Sequence, residues 1–576
     1  MNQKLENILN VSLDATEDEL RKADSLSTGY NWRDNTWEII VKYSGSLESI
    51  RNRYNVYIKE LLNYYAIIVA DKATIELISQ EDVIDYVEKP KSLYYQIERT
   101  KTAACVGSVR ADGNILSGKG VIVGVIDTGI DIFDNAFRNS DGTTRILNIY
   151  DQTTGEKYDK QSIDEYIKLN EDLSGGTFSY DNAPGVDNIM YGTDVSYIAA
   201  GSLGVAYEAD IIAVKMGYSI NNQFPRTTSL MDAIDYVIRK AIEYRKPVAV
   251  NISYGCNYGA HNGNTLLESF IDDISKSYRC VICVGSGNEA DKAIHFGGII
   301  NTGQVQTAYL SVGEYQSAMD IQIWKNYWDT IDVMLINPRG EQIGIITEGK
   351  INRYETYNTE IITLFGEPSP YNIYQEIYIN LIPKTDYILS GIWQIVLMAG
   401  NIRAGEYNIW LPSSQALGNA TSFNNPTADG TITIPATARN CIAVGAYNAY
   451  TNSYAAFSGR GFDNSIRNVN AGVKPDITAP GVDISIARQR GNDIIYRNVT
   501  GTSYAVPVVT GAAALLMQWG IVMGNDRFMY GEKLKAALID GSKPVGLAGI
   551  TGNDNHPDPR TGWGAVCLMN TLNKIL

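Results

Sequence analysis

Four nearly continuous apolar segments, separated by stretches of helical periodicity, constrain the fold of this chain most strongly. They are residues 121–126, 211–215, 248–252 and 281–284. Strands that are apolar on both faces indicate a parallel sheet covered by helices on both sides. Ligands of such sheets bind at the carboxyl ends of the strands. Asp127, Ser253 and Asn288 come at or just after strand ends, so we expect a functional site at that edge.

Two further units flank or interrupt this α/β core. The first 97 residues predict a small α+β domain of β-α-β-α-β order, with strands near 37–43, 64–69 and 83–88. Short strands separated by turn residues then predict a β-sandwich of jelly-roll type inserted in the core. The core is expected to resume with strands at 431–435 and 441–445. The expected domains are residues 1–97, 98–303, 304–428 and 429–576.

Composition excludes several classes of function. The 48 basic and 64 acidic residues give a net charge of −16, which disfavours a nucleic-acid partner because phosphate binding needs a basic surface. No run of eighteen apolar residues is present, so we expect no membrane span, and the apolar stretch 511–523 predicts a buried helix. The first twenty residues contain no apolar segment of signal-peptide type, so we expect synthesis in the cytoplasm without a signal peptide.

The cysteines predict neither a disulfide framework nor a metal site. Cys280 and Cys283 are spaced like a metal-binding pair, but they fall on one predicted strand, where residues three apart point to opposite faces. No second pair accompanies them. We therefore interpret them as structural residues, and we expect no metal and no cofactor.

Two segments carry the elements of acyl-transfer chemistry. Residues 501–507 place Ser503 at the start of an apolar helix, where the backbone N–H of the serine suits an oxyanion. Asp127 ends an apolar strand within the segment VGVIDTGID. A serine nucleophile must lose its proton as it attacks, and the oxyanion that forms must be held. These segments thus offer a serine nucleophile, an orienting carboxylate and one oxyanion donor, and the proton acceptor has to come from elsewhere.

These segments resemble the nucleophile and acid motifs of the subtilisin family. Residues 285–288, which are Gly285, Ser286, Gly287 and Asn288, resemble the family's second oxyanion motif, which implies that Asn288 and Ser503 form the oxyanion hole. Ser253, Tyr254 and Gly255 resemble the family's edge segment that pairs with an extended peptide. Residues 474–481 match a further family stretch, and the first 97 residues resemble the propeptide. The resemblance implies a subtilisin-like fold.

The chain departs from the family at the catalytic base. The family's His-Gly-Thr-His-Val stretch is here Tyr191-Gly192-Thr193-Asp194-Val195. A phenol has a pKa of about 10 and is already protonated near neutral pH, so Tyr191 is a poor acceptor for the serine proton. Asp194 lies one helical turn later on the same face, but a carboxylate with a pKa near ~4 is a weak base for serine. We expect the Tyr191 hydroxyl to donate a hydrogen bond to Asp127 instead.

Three histidines are present, and none occupies the position of the base. His261 follows the peptide-binding edge and is expected to be a loop or rim residue. His295 and His556 are expected to be ordinary surface residues. A base must lie within hydrogen-bond reach of the serine, so we do not expect any of the three to replace the missing imidazole.

The strongest resemblance is to the Csp-type subtilases of spore-forming Clostridia, which act in germination and include degenerate members. It implies a pseudoprotease with a binding or regulatory role, associated with the spore and with other Csp-type proteins. Its propeptide would stay attached, with the propeptide tail lying across residues 253–255. The alternative is an active or weakly active serine endopeptidase that cleaves itself near Gln96.

Overall fold

A computed structural model of the chain has an N-terminal domain, an α/β core and a β-sandwich inserted in that core. It describes residues 2–92, 94–95, 110–111, 114–174, 183–217, 224–418, 420–462, 472–490, 493–546 and 557–576. The predicted fold class, a parallel α/β sheet with an α+β first domain and an inserted β-sandwich, is confirmed.

The N-terminal domain is a five-stranded antiparallel sheet with helices on one side and an additional helical segment at its start. Its elements are α1 (Asn7–Asp14), α2 (Glu17–Lys22), α3 (Asp24–Ser27), β1 (Tyr30–Asn31), β2 (Thr36–Tyr43), α4 (Glu48–Tyr54), β3 (Tyr57–Glu60), β4 (Tyr65–Ala70), α5 (Lys72–Gln80) and β5 (Ile84–Glu88). The predicted β-α-β-α-β order corresponds to β2, α4, β4, α5 and β5. Helices α1 to α3 and strand β3 were not predicted. Thr16 and Glu19 form a capping box at the start of α2, which is a local signal for that helix.

Three two-residue strands and the first part of the core follow. Their elements are β6 (Tyr94–Tyr95), β7 (Arg110–Ala111), β8 (Asn114–Ile115), β9 (Ile122–Asp127), β10 (Ile146–Asp151), β11 (Glu156–Asp159), α6 (Lys160–Ser174), α7 (Tyr191–Ala200), β12 (Asp210–Lys215), α8 (Thr227–Tyr244), β13 (Val248–Ile252), β14 (Tyr254–Gly255), α9 (Leu266–Ser277) and β15 (Cys280–Gly285). The four predicted apolar strands correspond to β9, β12, β13 and β15, and every residue of β9, β13 and β15 is buried.

The inserted sandwich consists of two antiparallel sheets. Its strands are β16 (His295–Ile299), β17 (Val305–Val312), β18 (Met319–Asn326), β19 (Ile331–Ile336), β20 (Gln342–Ile346), β21 (Ile351–Glu355), β22 (Thr359–Phe365), β23 (Tyr374–Pro383), β24 (Gly391–Ala399), β25 (Glu406–Trp410) and β26 (Ser422–Phe423). One sheet has the order β16-β25-β18-β23-β22-β21 and the other β20-β19-β24-β17-β26. Alternate residues of both sheets face inward and form a single core, which includes Ile323, Ile379 and Trp393.

The second part of the core completes the main sheet. Its elements are β27 (Ile442–Asn448), β28 (Ser453–Tyr454), β29 (Ile477–Pro480), β30 (Ile484–Arg490), β31 (Asp493–Val499), α10 (Thr502–Met517), α11 (Gly531–Asp540) and α12 (Leu568–Ile575). The main sheet has nine strands in the order β11-β10-β12-β9-β13-β15-β27-β28, and β29 also pairs with β27. Strands β10, β12, β9, β13, β15, β27 and β29 run parallel to their neighbours in this set.

Helices cover both faces of the main sheet. The hydrophobic cluster on one face contains α7 and α10, and the cluster on the other face contains α8 and α9. Cys283 belongs to the first cluster and Cys280 to the second, as expected for residues three apart on a strand. Within the described residues, the stretch Thr502–Val522 alone is long and apolar enough to cross a membrane, by length and composition only. Of its most apolar part, 83% is buried inside the protein, as expected for a core helix.

Two boundaries differ from the sequence-based expectation. The sandwich begins at β16 rather than near residue 304, because the segment from His295 to Ile299 pairs along its length with β25. Residues 431–435 form no strand, and Ile434 makes an isolated bridge to Cys256 instead. The apolar alternation of that segment reflects burial in the seam between the sandwich and the core.

The N-terminal domain contacts both of the other units. Its sheet faces α8 and α9, where the Leu62 backbone donates to Asp235 and the Tyr65 hydroxyl donates to Asp273, each at 3.0–3.1 Å. Its core also includes four residues of the sandwich, Ile362, Leu364, Tyr378 and Ile382. These side chains lie on the outer face of the six-stranded sheet, so the N-terminal domain and the sandwich share one hydrophobic core.

Candidate functional site

Ser503 lies at the second position of α10, at the carboxyl end of the main sheet. The preceding residue of the turn, Gly501, has a φ of +147°, which few residues other than glycine adopt. Ser503 is fully buried, and the sixteen-residue helix behind it is buried along its whole length. The first backbone N–H groups of a helix have no partner within it and attract negative charge. Ser503 is therefore presented where an oxyanion would be stabilised.

Asn288 lies beside the start of the same helix. Its Oδ1 accepts hydrogen bonds from the backbone nitrogen of Thr502 at 3.0 Å and from the Thr502 hydroxyl at 3.2 Å. These bonds orient the carboxamide, and its Nδ2 is buried without a hydrogen-bond partner among the described residues. Gly287 has a φ of +94°, and a Cβ there would lie 2.6 Å from the Thr433 side chain. The backbone thus holds an amide donor in the position expected of the second oxyanion contact.

Asp127 ends β9 and is almost completely buried. Its Oδ1 accepts from the backbone nitrogen of Thr128 at 2.8 Å, whereas its Oδ2 has no hydrogen-bond partner in the described part of the chain. Burial raises the pKa of Asp127 well above its usual value, and the nearby Asp187 adds to the increase, while Thr128 and Ser253 act in the opposite direction. The expected hydrogen bond from the Tyr191 hydroxyl to this oxygen is therefore absent.

Tyr191 is the first residue of α7, next to Asp127. A Cβ at the following Gly192 would lie 2.4 Å from the Gly129 carbonyl and 3.0 Å from the Asp127 Cβ, so the helix starts directly against the strand end. The Tyr191 side chain is 2% exposed, and its ring meets the edge of the Tyr504 ring at a centroid distance of 5.3 Å. Tyr504 follows Ser503 in the chain. The structure therefore brings Asp127, Tyr191 and the Ser503 turn together.

Asp187 fixes the start of α7. One carboxylate oxygen accepts from the backbone nitrogen and the hydroxyl of Thr193, both at 2.8 Å. The other accepts from the Thr128 hydroxyl at 2.9 Å, and that hydroxyl accepts from the Gly192 backbone nitrogen at 2.9 Å. Sequence reasoning missed this residue. The available signal is an acidic residue shortly before a predicted helix start.

Asp194 is held by two arginines of the β30–β31 hairpin. Its carboxylate oxygens lie 3.1 Å from Arg488 Nε and 3.0 Å from Arg497 Nη1, and Arg488 Nη1 lies 3.1 Å from Asp134 Oδ2. Burial raises the pKa of Asp194 to about 7, and the two guanidinium groups act in the opposite direction. The net increase makes this carboxyl a better proton acceptor than an exposed aspartate, and both of its oxygens face guanidinium groups. Asp194 therefore connects α7 to the hairpin.

The expectation that His295 lies on the surface was wrong, whereas His261 lies on a loop, as expected, although it is buried. His295 lies within β16 and is 1% exposed, and His261 is 3% exposed. Nδ1 of His261 lies 2.6 Å from the Ile432 carbonyl oxygen, and Nδ1 of His295 lies 3.1 Å from the Thr427 carbonyl oxygen. Both rings are enclosed because they stack against Trp410, the last residue of β25 in the sandwich. His556 lies outside the described residues.

The cleft beside the site contains the end of the N-terminal domain. Strand β6 pairs antiparallel with β14, with Tyr95 opposite Tyr254 and Tyr94 opposite Gly255. Ser253, which precedes β14, is fully buried. The segment after the N-terminal domain thus runs through the edge position expected for a bound peptide. Gln96, the expected processing position, lies outside the described residues.

Lys91 anchors this segment where it leaves the N-terminal domain. The Lys91 Nζ pairs with Glu6 at 2.7 Å and with Glu88, and all three side chains are largely buried. The backbone of Lys91 exchanges hydrogen bonds with Thr227 at the start of α8, and Glu88 accepts from the Leu266 backbone nitrogen at 2.8 Å at the start of α9. Glu88 thereby places a carboxylate at a helix N-terminus, which is a favourable position. Sequence reasoning did not identify this ion cluster.

In the described part of the chain, no group of three or more histidine, cysteine, aspartate or glutamate side chains is arranged to hold a metal ion.

Comparisons with known proteins match most of the chain. Residues 118–369 and 395–564 match the profile of the subtilase family, and residues 3–91 match that of the Csp protease B prodomain. The solved structure of the CspB protease of Clostridium perfringens is 34% identical and covers 80% of this chain and 94% of that chain, with a TM-score of 0.73.

Matches to curated proteins are shorter. Subtilase-type proteinase RRT12 of Saccharomyces cerevisiae is 39% identical over 88 residues, which is 15% of this chain. Subtilisin-like protease 10 of Arthroderma otae is 34% identical over 126 residues, which is 20% of this chain. The matched stretches span only 15% and 28% of those two proteins.

Proposed function

Because this chain belongs to the subtilase family and carries a CspB-type prodomain, we propose that it is a Csp-like pseudoprotease with a binding or regulatory role. The observation that carries the proposal is the phenol of Tyr191 beside Asp127 and the Ser503 turn. A phenol does not accept the serine proton near neutral pH. Loss of the base alone costs a factor on the order of a million in kcat, a value that was itself measured on subtilisin.

The surroundings of Tyr191 support the loss of hydrolysis. The tyrosine is packed against Tyr504 in the core, so it is a structural part of the site. Both carboxylate oxygens of Asp194 lie against Arg488 and Arg497, so this side chain is directed at the β30–β31 hairpin. What remains is a cleft that binds extended peptide through the edge strand β14.

The ligand of the cleft, in this proposal, is the protein's own prodomain tail. Pairing of β6 with β14 and anchoring of Lys91 on Thr227 support an uncut connection that occupies the peptide position. A partner peptide would then have to displace the tail or bind elsewhere. By analogy with Csp-type subtilases we propose a role in spore germination, association with the spore and contacts with other Csp-type proteins.

The alternative function is a serine endopeptidase that retains weak activity. The observation that favours it is the intact oxyanion site, in which Asn288 Nδ2 is buried without a hydrogen-bond partner among the described residues. An oxyanion hole with bound substrate supplies about 10³–10⁴-fold catalysis over water even without the triad. Self-cleavage after the prodomain, near Gln96, would be its first product.

The test is the intact mass of the purified chain beside a Ser503→Ala variant. A single full-length species in both samples is the expected result. Two fragments in the wild type that are absent from the variant would overturn the pseudoprotease proposal. A fluorophosphonate probe, which labels activated serines, provides the second readout. Labelling of Ser503 in an uncut chain would mean that the serine is activated and that only access is blocked.

A further inference from the structure

Three stacked aromatic rings form the seam between the sandwich and the core. Trp410, the last residue of β25, lies between the rings of His261 and His295. The centroid of the indole is 4.2 Å from that of His261 and 4.9 Å from that of His295, with interplanar angles of 14° and 20°. All three side chains are at most 3% exposed. We call these three residues the Trp410 clasp.

All four ring nitrogens of the clasp face oxygen atoms. His261 Nδ1 lies 2.6 Å from the Ile432 carbonyl oxygen and its Nε2 lies 3.2 Å from the Asn257 carbonyl oxygen. His295 Nδ1 lies 3.1 Å from the Thr427 carbonyl oxygen, and its Nε2 lies 3.0 Å from Asn408 Oδ1. Each histidine therefore joins two separate segments of the chain.

The partners decide which protonation state fits. Backbone carbonyl oxygens only accept hydrogen bonds. The Asn408 amide is oriented by its Nδ2, which donates to Glu406 Oε1 at 3.2 Å, so its oxygen is directed at His295. A neutral imidazole has a single N–H and would leave its other nitrogen lone pair facing an oxygen, whereas an imidazolium donates from both nitrogens. A cation above an indole face is also favoured.

Two acidic residues lie on the elements packed against the clasp, and two arginines lie on adjoining segments. Glu406 lies one hydrogen bond beyond His295 through Asn408. Asp320 accepts from the hydroxyl of Tyr258, on the loop that contains His261. On the adjoining segments, Asp429 lies near Arg560, and Arg460 donates to the Tyr454 hydroxyl. The buried Glu406 carboxylate opposes the cost of burying positive charge. Burial raises the pKa of Asp320 to about 7, so this carboxyl adds its full charge only above neutral pH.

We propose that His261 and His295 are both held as imidazolium ions on the two faces of Trp410, and that this proton-dependent clasp fastens the sandwich to the peptide cleft. The clasp adjoins the cleft directly. Cys256, which follows β14, exchanges two backbone hydrogen bonds with Ile434, and Thr433 donates to the carbonyl of Ser286 beside the oxyanion segment. The folded state then holds protons that an unfolded chain releases near neutral pH, so the seam weakens as pH rises.

Nitrogen NMR of protein labelled selectively with ¹⁵N-histidine tests the proposal. The chain has three histidines, and His261→Asn, His295→Gln and His556→Gln assign the signals one by one. Asparagine suits position 261, where φ is +50°. At pH 7.5 an exposed imidazole is about nine-tenths neutral. We expect both clasp rings to have two protonated nitrogens at this pH. A signal of a single protonated nitrogen in either ring would overturn the proposal.

Hydrogen exchange tests the coupling to the cleft. With correction for intrinsic exchange rates, we expect protection of residues 256–264 and 427–436 to fall between pH 7.5 and 9, by up to about tenfold per pH unit for each proton released. His261→Asn and His295→Gln should weaken this pH dependence, and His556→Gln should leave it unchanged. Burial also raises the pKa of Asp320 and of Glu289 to about 7 and that of Glu376, which reaches the His261 loop through Gln322, to about 8. An unchanged profile in both clasp variants would assign the effect to these carboxyls and contradict the proposal. Neither test involves cleavage or peptide binding, so the result is independent of the proposed pseudoprotease function.

Discussion

At the residue scale, the candidate site combines a buried carboxyl, a buried carboxamide and a serine at a helix start. The candidate site brings Asp127 and Asn288 near the Ser503 turn. Two of its polar atoms, Asp127 Oδ2 and Asn288 Nδ2, are buried without hydrogen-bond partners among the described residues. Tyr191 packs its ring against Tyr504 and does not bond to Asp127 Oδ2. The buried carboxyl is therefore a place where the folded chain favours a proton.

Replacing Tyr191 by histidine tests whether the rest of the site is intact. The imidazole is smaller than the phenol, and Asp127 Oδ2 is available to orient its Nδ1. We expect Tyr191→His to cleave itself after the N-terminal domain, as measured by intact mass, and Tyr191→His/Ser503→Ala to remain whole. An uncut Tyr191→His chain of unchanged melting temperature would show that further parts of the site are misplaced.

Asp127→Asn should stabilise the protein at alkaline pH. The pKa of Asp127 is raised in the folded state, so the wild type loses stability as pH rises above the unfolded pKa of about 3.9 toward the folded value. Asparagine removes this loss and keeps the acceptor for the Thr128 backbone nitrogen. The urea midpoint of the variant should exceed that of the wild type at pH 8, with the difference shrinking toward pH 4.

Asp476→Asn is the matched control for that titration. Lys474 and Lys535 each lie 2.8 Å from the Asp476 carboxylate and hold its pKa below the usual value. This variant should be destabilised at pH 8 and approach the wild type at low pH. If both variants shifted in the same direction, the assignment of Asp127 as the protonated carboxyl would be wrong.

At the scale of elements, the β30–β31 hairpin holds the start of α7 through Asp194. Arg488 is 1% exposed and lies between Asp134 and Asp194, so a surface hairpin sends a charged side chain into the core. The arrangement fixes the first turn of α7 through Asp194. A buried guanidinium with two carboxylates is stable only as a complete set.

Arg488→Met should therefore be strongly destabilising. It leaves Asp134 and Asp194 buried without their shared cation, and loss of one partner of a buried pair typically costs about 3–5 kcal/mol. Lys574→Met is the control, because Lys574 pairs with Asp540 at the surface, where an ion pair is worth about 0–1 kcal/mol. Chemical unfolding of both variants makes the comparison, and equal losses would contradict the role of the buried cluster.

At the scale of the whole molecule, the N-terminal domain is built into the structure on two sides. Its sheet covers α8 and α9, and its hydrophobic core continues into the outer face of the sandwich. Lys91, Glu6 and Glu88 add a buried ion cluster at the point where the chain enters the cleft. The domain is therefore held independently of the covalent connection.

A chain cut between residues 96 and 109 should keep its N-terminal domain. Insertion of a specific protease site in that segment, followed by cleavage and gel filtration, tests this. We expect both fragments to elute together in equal amounts, and Leu364→Asp, which places a charge in the shared core, to release the smaller fragment. Leu169→Asp, at an exposed leucine, is the control. Release from the cut wild type would show that the shared core is too weak to hold the domain.

Much of the fold was predictable because it follows from local patterns. Buried parallel strands leave apolar segments, and β9, β12, β13 and β15 all lie where such segments were expected. The predictions failed where contacts between distant parts of the chain determine the secondary structure. His295 was expected at the surface because nothing in the local sequence shows that it pairs with the distant β25 and becomes part of a strand. Residues 431–435 looked like a strand because apolar alternation does not distinguish a sheet from a buried seam.

The candidate site was predictable in its members but not in its connections. Asp127, Asn288 and Ser503 occur in short motifs that local sequence preserves. Three other residues act through partners far along the chain, such as Arg488 or Glu6, and no local sequence pattern predicts such pairs. These residues are Asp187, Asp194 and Lys91. The missing bond between Tyr191 and Asp127 is a matter of side-chain placement, which no motif specifies.

The position of the sandwich has a consequence for the order of folding. Strands β15 and β27 are neighbours in the main sheet although the whole sandwich separates them in the chain. Closing a loop of that length is slow, because its entropic cost comes before any stabilising contact forms. If the sandwich folds first, pairing of β16 with β25 brings its two ends together and shortens the effective loop. The insert would then act as a folding nucleus that brings β27 close to β15, so that the two parts of the main sheet can pair.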